Sequence, residues 1–107
     1  MDGKRTRKTP LSKETYRYFH TAGETSLQML ESSFNSFIQG DCNLANDTID
    51  RTEELKSLYN SGISTIDGKN PGLSVAIAGM MESVKRTGMY ASDIAEIAIN
   101  LLENHVE

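Results

Sequence analysis

Three stretches of the chain carry apolar residues at steps of three and four, which is the spacing of one face of an α-helix. The stretches cover about residues 12–39, 43–66 and 71–106, and turns that contain Gly and Asp separate them. Asn70 followed by Pro71 predicts a clean start for the third helix, because asparagine is a good cap and proline suits the first helical position. No stretch alternates with the two-residue period of a strand. The pattern therefore predicts an all-α fold, an up-down-up three-helix bundle.

The apolar positions also indicate which face of each predicted helix packs inward. On the first helix we expect a core stripe rich in aromatic residues: Tyr16, Phe19, Gly23, Leu27, Leu30, Phe34 and Phe37. On the second helix the expected inward residues are Ala45, Ile49, Thr52, Leu55, Tyr59, Ile63 and Ile66. On the third helix a heptad seam consists of Ile77, Val84, Ala91 and Ala98 with Met80, Thr87, Ile94 and Leu101.

Polar residues follow a line on the outward side of two predicted helices. On the third helix this line consists of Glu82, Arg86, Met89, Asp93, Glu96 and Asn100. On the second helix there is an acidic cluster of Asp47, Asp50 and Glu54. Carboxylates one helical turn apart can share a cation, but the solvated face of an ordinary helix is also rich in charge. A metal site and a solvated or protein-binding face both stay open at this point.

Length and composition narrow the class of protein. The chain has 107 residues, a net charge of −4 and a single cysteine, which indicates one domain without an internal disulfide framework. No apolar run reaches the ~20 residues of a membrane-spanning helix, and no secretory signal is recognisable, so we expect a cytoplasmic protein. Residues 1–9 contain Lys4, Arg5, Arg7 and Lys8, and we expect this segment to be a flexible basic tail. The domain at 10–107 is acidic, and we expect no nucleic-acid binding through its folded part.

Two segments of the third predicted helix have a recognisable order and spacing. They are Val84-Lys85-Arg86-Thr87-Gly88-Met89 and, shortly after, Asp93-Ile94-Ala95-Glu96. Upstream, Asp41 follows the first helix, and the step from Asp47 to Asp50 leads into Glu54-Leu55-Lys56-Ser57-Leu58. These segments resemble the PhoU family of helical phosphate-uptake regulators, whose closing helix typically reads hydrophobic-Glu-Arg-Ile-Gly-Asp and then Asn-Ile-Ala-Glu. The resemblance covers about residues 12–106 and implies one PhoU-like three-helix repeat.

The resemblance also implies a metal-binding face. In the PhoU family, outward carboxylates bind iron or zinc clusters through a Glu/Asp-x-x-x-Asp spacing. Here Lys85 and Met89 stand where that pattern has a Glu and an Asp, so a cation and a thioether replace two hard oxygen donors. The candidate metal ligands that remain are Asp47, Asp50, Glu54, Glu82, Asp93 and Glu96. A transition-metal ion, iron or zinc, is the cofactor that the resemblance suggests.

The function implied by the resemblance is that of a non-enzymatic regulator or adaptor in phosphate sensing and phosphate transport control. Its implied partners are the ATPase of a phosphate ABC transporter and a sensor kinase. A PhoU protein usually contains two three-helix repeats, and this sequence has room for one. We therefore expect a homodimer, in which a second copy covers the surface that the partner repeat would occupy. The apolar positions outside the seam supply the expected interface residues: Val75, Met81, Tyr90, Ile97 and Leu102.

Two other interpretations come from different classes of protein. A histidine phosphotransfer protein would use His20, but Gly23 and Glu24 replace the lysine and glycine of the His-x-x-Lys-Gly motif. We expect His20 to lie on or beside the core and to have a packing role. The other alternative is a structural dimerisation module with a degenerate metal face. No nucleophile elbow, phosphate loop or histidine–carboxylate metal motif is recognisable, so we expect no enzyme activity.

Overall fold

The fold is an up-down-up bundle of three helices, as the sequence pattern predicts. The computed structural model describes residues 11–104, and the predicted tail at 1–9 lies outside this range. Helix α1 is Lys13–Gln39, α2 is Cys42–Ser64 and α3 is Pro71–Asn104. Each helix packs against both of the others, so the bundle has one shared core. No described helix contains a stretch that is long and apolar enough to cross a lipid bilayer.

Local side-chain chemistry fixes the helix ends. The Ser12 hydroxyl caps α1 by accepting a hydrogen bond from the backbone N–H of Thr15 at 3.0 Å. Gly40 ends α1 in the left-handed conformation with φ of 67°, which a residue with a Cβ rarely adopts. Directly afterwards, the Asp41 carboxylate caps α2 by accepting from the N–H of Leu44 at 3.0 Å. This compact αL-cap sequence reverses the chain within two residues.

The start of α3 is also the one that the sequence predicts. The side-chain carbonyl of Asn70 accepts a hydrogen bond from the N–H of Leu73 at 3.1 Å, and its backbone carbonyl accepts from Ser74 at 2.9 Å. Pro71, which has no N–H to satisfy, occupies the first helical position. The predicted start of α3 is therefore confirmed, whereas α2 ends at Ser64, two residues before the predicted end.

The core is built from residues of all three helices. The central cluster of buried apolar side chains consists of Ala22, Met29, Leu55, Ile77, Met81 and Ala91. Gly88 of α3 lies against Leu55 of α2 and Met29 of α1. A glycine at this point lets the three backbones approach closely. The expected inward face of α2 is confirmed, because Ala45, Thr52 and Leu55 are buried and its other predicted members that carry large side chains are half-buried.

The predicted inward face of α1 is correct only in part. Tyr16, Leu27, Phe34 and Phe37 of the expected core stripe are each at least half-exposed. The residues of α1 that are buried instead are mostly small or hydroxyl-bearing: Thr15, Ala22, Thr25, Ser26, Met29, Ser33 and Ser36. The helix is thus rotated so that its small-residue face packs on α2 and α3 together with Met29. Phe19 and Leu30 are partly buried against the core, whereas the other large side chains of the expected stripe point away from it.

The buried serines of α1 are satisfied within their own helix. The hydroxyls of Ser26, Ser33 and Ser36 each donate to the backbone carbonyl three residues earlier, at 2.9, 2.7 and 2.7 Å. A buried hydroxyl with a hydrogen-bond partner costs little free energy, whereas an unpaired one is expensive. This explains how a face that reads as polar in the sequence can lie in the core.

The predicted seam of α3 is correct on one side only. Ile77, Ala91 and Ala98 are buried as expected, but Met80 and Leu101 are half-exposed. The positions four residues after the first set, rather than three, complete the buried face: Met81, Gly88 and Ala95. Helix α3 contacts both α1 and α2, so its buried face is turned toward the groove between them. Met81, which we expected at an outer interface, is consequently a core residue.

Candidate functional site

The outer groove between α2 and α3 holds a polar cluster of three side chains. The Tyr59 hydroxyl of α2 donates a hydrogen bond to Glu82 Oε1 of α3 at 3.0 Å. Lys85 Nζ lies 3.6 Å from the same oxygen and 4.2 Å from the centre of the Tyr59 ring. The lysine thus combines an ion pair with a cation–π contact. The cluster ties the two antiparallel helices together at their surface.

The electrostatics of this cluster favour the neutral form of the tyrosine. The hydrogen bond to Glu82 raises the pKa of Tyr59, and both burial and the negative charge of Glu82 act in the same direction. The hydrogen bond exists only while the phenol keeps its proton, so ionisation would remove it and place two negative charges side by side. Tyr59 is therefore a structural donor here, held in its protonated form.

The remaining residues of the α3 line follow this cluster along the helix. Met89 is half-buried and lines a shallow groove of about 200 Å³ with Lys56, Tyr59, Asn60 and Lys85. The exposed members of the line are Arg86, Asp93, Glu96 and Asn100. The predicted outward line on α3 is therefore present: Asp93 and Glu96 lie in solvent, whereas Glu82 and Met89 lie beside Tyr59 of α2.

The acidic cluster of α2 lies on a different side of the molecule. Asp47, Asp50 and Glu54 are exposed, and Glu54 accepts from Arg51 Nε at 3.3 Å. Arg51 also donates to Gln28 of α1 at 2.9 Å, which places this edge of α2 beside α1. The opposite edge of α2 carries Tyr59 and faces α3. The six candidate metal ligands therefore do not converge, and within residues 11–104 no three His, Cys, Asp or Glu side chains form a group that could hold a metal ion.

The comparison with known families agrees with this architecture. The family model described as the PhoU domain matches residues 19–98, which is more than half of the chain and includes parts of all three helices. The chain belongs to the PhoU family. No match was found among curated proteins or among solved structures. The suspected resemblance to a single PhoU repeat is confirmed, and the family associates the chain with the regulation of phosphate transport.

In this PhoU domain, His20 lies on the surface, so the prediction of a histidine on or beside the core is wrong. Its side chain is 53% exposed, and its ring stacks on that of Tyr16 with 5.7 Å between the centroids. His20 Nε2 also lies 3.4 Å from a carboxylate oxygen of Glu24 one turn later. Helix α1 packs on the core through its small-residue face. Most of the aromatic stripe and the neighbouring His20 therefore point outward.

The expected interface residues of the PhoU domain divide into two groups. Val75, Tyr90 and Ile97 are exposed, whereas Met81 is buried and Leu102 is half-buried. Sequence reasoning also missed the outward role of Tyr59, which it assigned to the core alone. No local sequence pattern could have indicated this role, because Tyr59 and Glu82 are 23 positions apart and meet only through the packing of α2 against α3.

Proposed function

We propose that this PhoU domain is a non-enzymatic regulator or adaptor in phosphate sensing and phosphate transport control. The observation that carries the proposal is the family match over residues 19–98, which falls on the three-helix unit itself. By family resemblance, the proposed partners are the ATPase of a phosphate ABC transporter and a sensor kinase.

The surface of α2 and α3 supports a role in protein contact. The acidic residues Asp93 and Glu96 are exposed on one side of the α2–α3 groove, and Lys56 is exposed beside it. Exposed charges of both signs give an interface its specificity and its rate of association, and they contribute little to the stability of the fold. A reversible contact with a basic patch of a partner protein fits this surface better than a catalytic site does.

The experiment that tests the function is affinity capture with the tagged chain from cells grown with ample phosphate and from phosphate-starved cells. We expect identified transporter or sensor-kinase components to be captured in a phosphate-dependent manner. The double variant Asp93→Lys with Glu96→Lys should lose this capture, whereas the matched control Asp47→Lys with Asp50→Lys should keep it. Absence of these components under both growth conditions would contradict the proposed function.

The exposure of His20 keeps phosphotransfer as a second candidate function. An exposed imidazole can accept a phosphoryl group, but Glu24 lies beside Nε2 and would repel the incoming negative charge. Incubation with a phosphorylated receiver domain separates the two functions, because phosphohistidine is labile in acid. Transfer to the wild-type chain that is absent in His20→Ala would establish the phosphotransfer role, and we expect no transfer to either protein.

A further inference from the structure

The largest unexplained feature of the molecule is an exposed apolar surface on α1 and α3. Nine large apolar side chains there are between 50% and 74% exposed. We call this surface the α1–α3 face, and its members are Tyr16, Leu27, Phe34, Phe37 and Ile38 of α1 with Met80, Tyr90, Ile97 and Leu101 of α3. Single exposed apolar residues are normal on a soluble protein, but a continuous set of this size needs a physical reason.

The two stripes form one surface because α1 and α3 run side by side in the same direction. Met29 lies beside Gly88, and Gly40 lies beside Leu102. The exposed apolar residues of α1 therefore lie at the same levels along the bundle as those of α3. Helix α2 lies on the other side of both helices. It reaches α1 through the Arg51 contact with Gln28 and α3 through the contact of Tyr59 with Glu82. Nothing within the described bundle covers the α1–α3 face.

The size of the face suits a stable protein interface. At roughly 100 Å² for each half-exposed large side chain, the face offers on the order of 900 Å² per chain. A stable interface takes about 800 Å² from each partner, whereas the largest apolar patch on a typical monomer is about 300–600 Å². The exposed area therefore matches what one copy contributes to a dimer.

The given residues outside the described range are poor in apolar side chains. Positions 1–10 and 105–107 contain only Met1, Pro10 and Val106 as apolar side chains other than glycine. A lipid surface is also disfavoured, because acidic residues outnumber basic residues in the chain and anionic headgroups would repel it. A second copy brings an apolar surface of equal area and equal composition.

We propose that a second copy of this chain docks on the α1–α3 face, so that the two faces bury each other across a twofold axis. In such an interface each residue set meets the same set on the other copy, and apolar surfaces are complementary to themselves. The dimer also explains the rotation of α1: its exposed large side chains are core residues of the dimer, and its small residues are core residues of the single bundle. This inference does not depend on the proposed role in phosphate transport.

Light scattering and sedimentation of the purified full chain test the proposal. We expect a mass of about twice 11.8 kDa at micromolar concentrations. Leu27→Glu on α1 and Ile97→Glu on α3 each place a charge in the proposed interface, once per copy. Each should weaken dimer formation by on the order of 100-fold or more, since an unpaired buried charge is costly. The control Ser57→Glu adds the same charge at an exposed position of α2 and should leave the dimer intact.

Circular dichroism of the same proteins keeps the test independent of folding. Both positions are 64% exposed in the bundle, so the two glutamate variants should retain their helix content as monomers. A monomeric wild type at high micromolar concentration would overturn the proposal. If that monomer sediments with anionic phospholipid vesicles, the face belongs to a membrane instead. A dimer that both glutamate variants leave unchanged would equally overturn it, because the contact would then use another surface.

Discussion

We expect Gly88→Ala to destabilise the protein, although alanine is normally the better residue in a helix. A Cβ at Gly88 would overlap Leu55 Cδ2 and would lie 3.4 Å from Met29 Sδ. Leu55 and Met29 are both fully buried, so neither side chain can swing into solvent to make room. The added methyl group must therefore move α3 or force Leu55 away from its preferred rotamer.

The change in the free energy of unfolding caused by Gly88→Ala is the difference between two opposing effects. Extra volume in a close-packed core costs about 1–3 kcal/mol, and the severe overlap with Leu55 argues for the upper part of that range. Replacing glycine by alanine inside a helix gains about 1 kcal/mol. The net loss should be about 1–2 kcal/mol, which lowers Tm by roughly 5–15 °C in a domain of this size.

Gly79→Ala is the matched control for this prediction. Gly79 is exposed to solvent and lies away from the ends of the same helix, and a Cβ there would meet no atom within 4 Å. Only the helix-propensity effect remains, so the control should be stabilised by about 0.5–1 kcal/mol. Thermal unfolding followed by circular dichroism, at one fixed protein concentration, measures both variants. The fixed concentration is needed because association shifts Tm.

A double-mutant cycle identifies the overlap as the cause. Leu55→Ala alone should cost about 2–5 kcal/mol through the cavity that it leaves. In the double variant the methyl group at position 88 enters that cavity, so the combined loss should be smaller than the sum by at least about 1 kcal/mol. A Gly88→Ala protein as stable as the wild type, or strictly additive losses in the cycle, would refute the close approach of α3 to α2.

Three further predictions concern the surface. Tyr59→Phe should cost about 1 kcal/mol through the lost hydrogen bond to Glu82. Because the folded pKa of Tyr59 is raised, wild-type stability should fall as the pH rises above about 10, and urea unfolding should show a weaker fall in the variant. His20→Ala should change stability by less than about 0.5 kcal/mol and preserve phosphate regulation; loss of regulation at unchanged Tm would favour phosphotransfer. Met89→Asp places a second carboxylate one turn before Asp93 and should raise affinity for divalent or ferric ions, measured by calorimetric titration. Tight stoichiometric metal in the wild type, or no gain in the variant, would contradict this reasoning.

The helix boundaries could be derived from the sequence because they depend on local chemistry. Ser12, Asp41 and Asn70 are good caps wherever they precede a helix, and Gly40 tolerates the left-handed conformation in any fold. Short connections then leave few arrangements for three helices, so the bundle follows as well. The family resemblance rests on the same kind of information, namely residue order and spacing along one helix.

The packing of α1 could not be derived in this way. Periodicity locates the apolar stripe of Leu27 and Phe34 on one side of the helix, but it does not say what covers that stripe. The side of α1 that packs into the bundle is the small face of Ala22, Ser26 and Ser33, and the hydroxyls of the two serines already donate to carbonyls of their own helix. Only the tertiary structure shows that this face enters the bundle and that the apolar stripe is left outside.

The candidate site was also predictable from the sequence only in part. The sequence placed Glu82, Asp93 and Glu96 on one outward line of α3, because residues three and four apart share a helix face. Whether the acidic cluster at Asp47 joins that line depends on which edge of α2 faces α3, and spacing within one helix carries no such information. The structure places the cluster at the α1 edge and Tyr59 at the α3 edge. Contacts within a helix follow from its fixed geometry, whereas contacts between helices depend on the rotation of each helix about its axis, which the packing of the whole bundle decides.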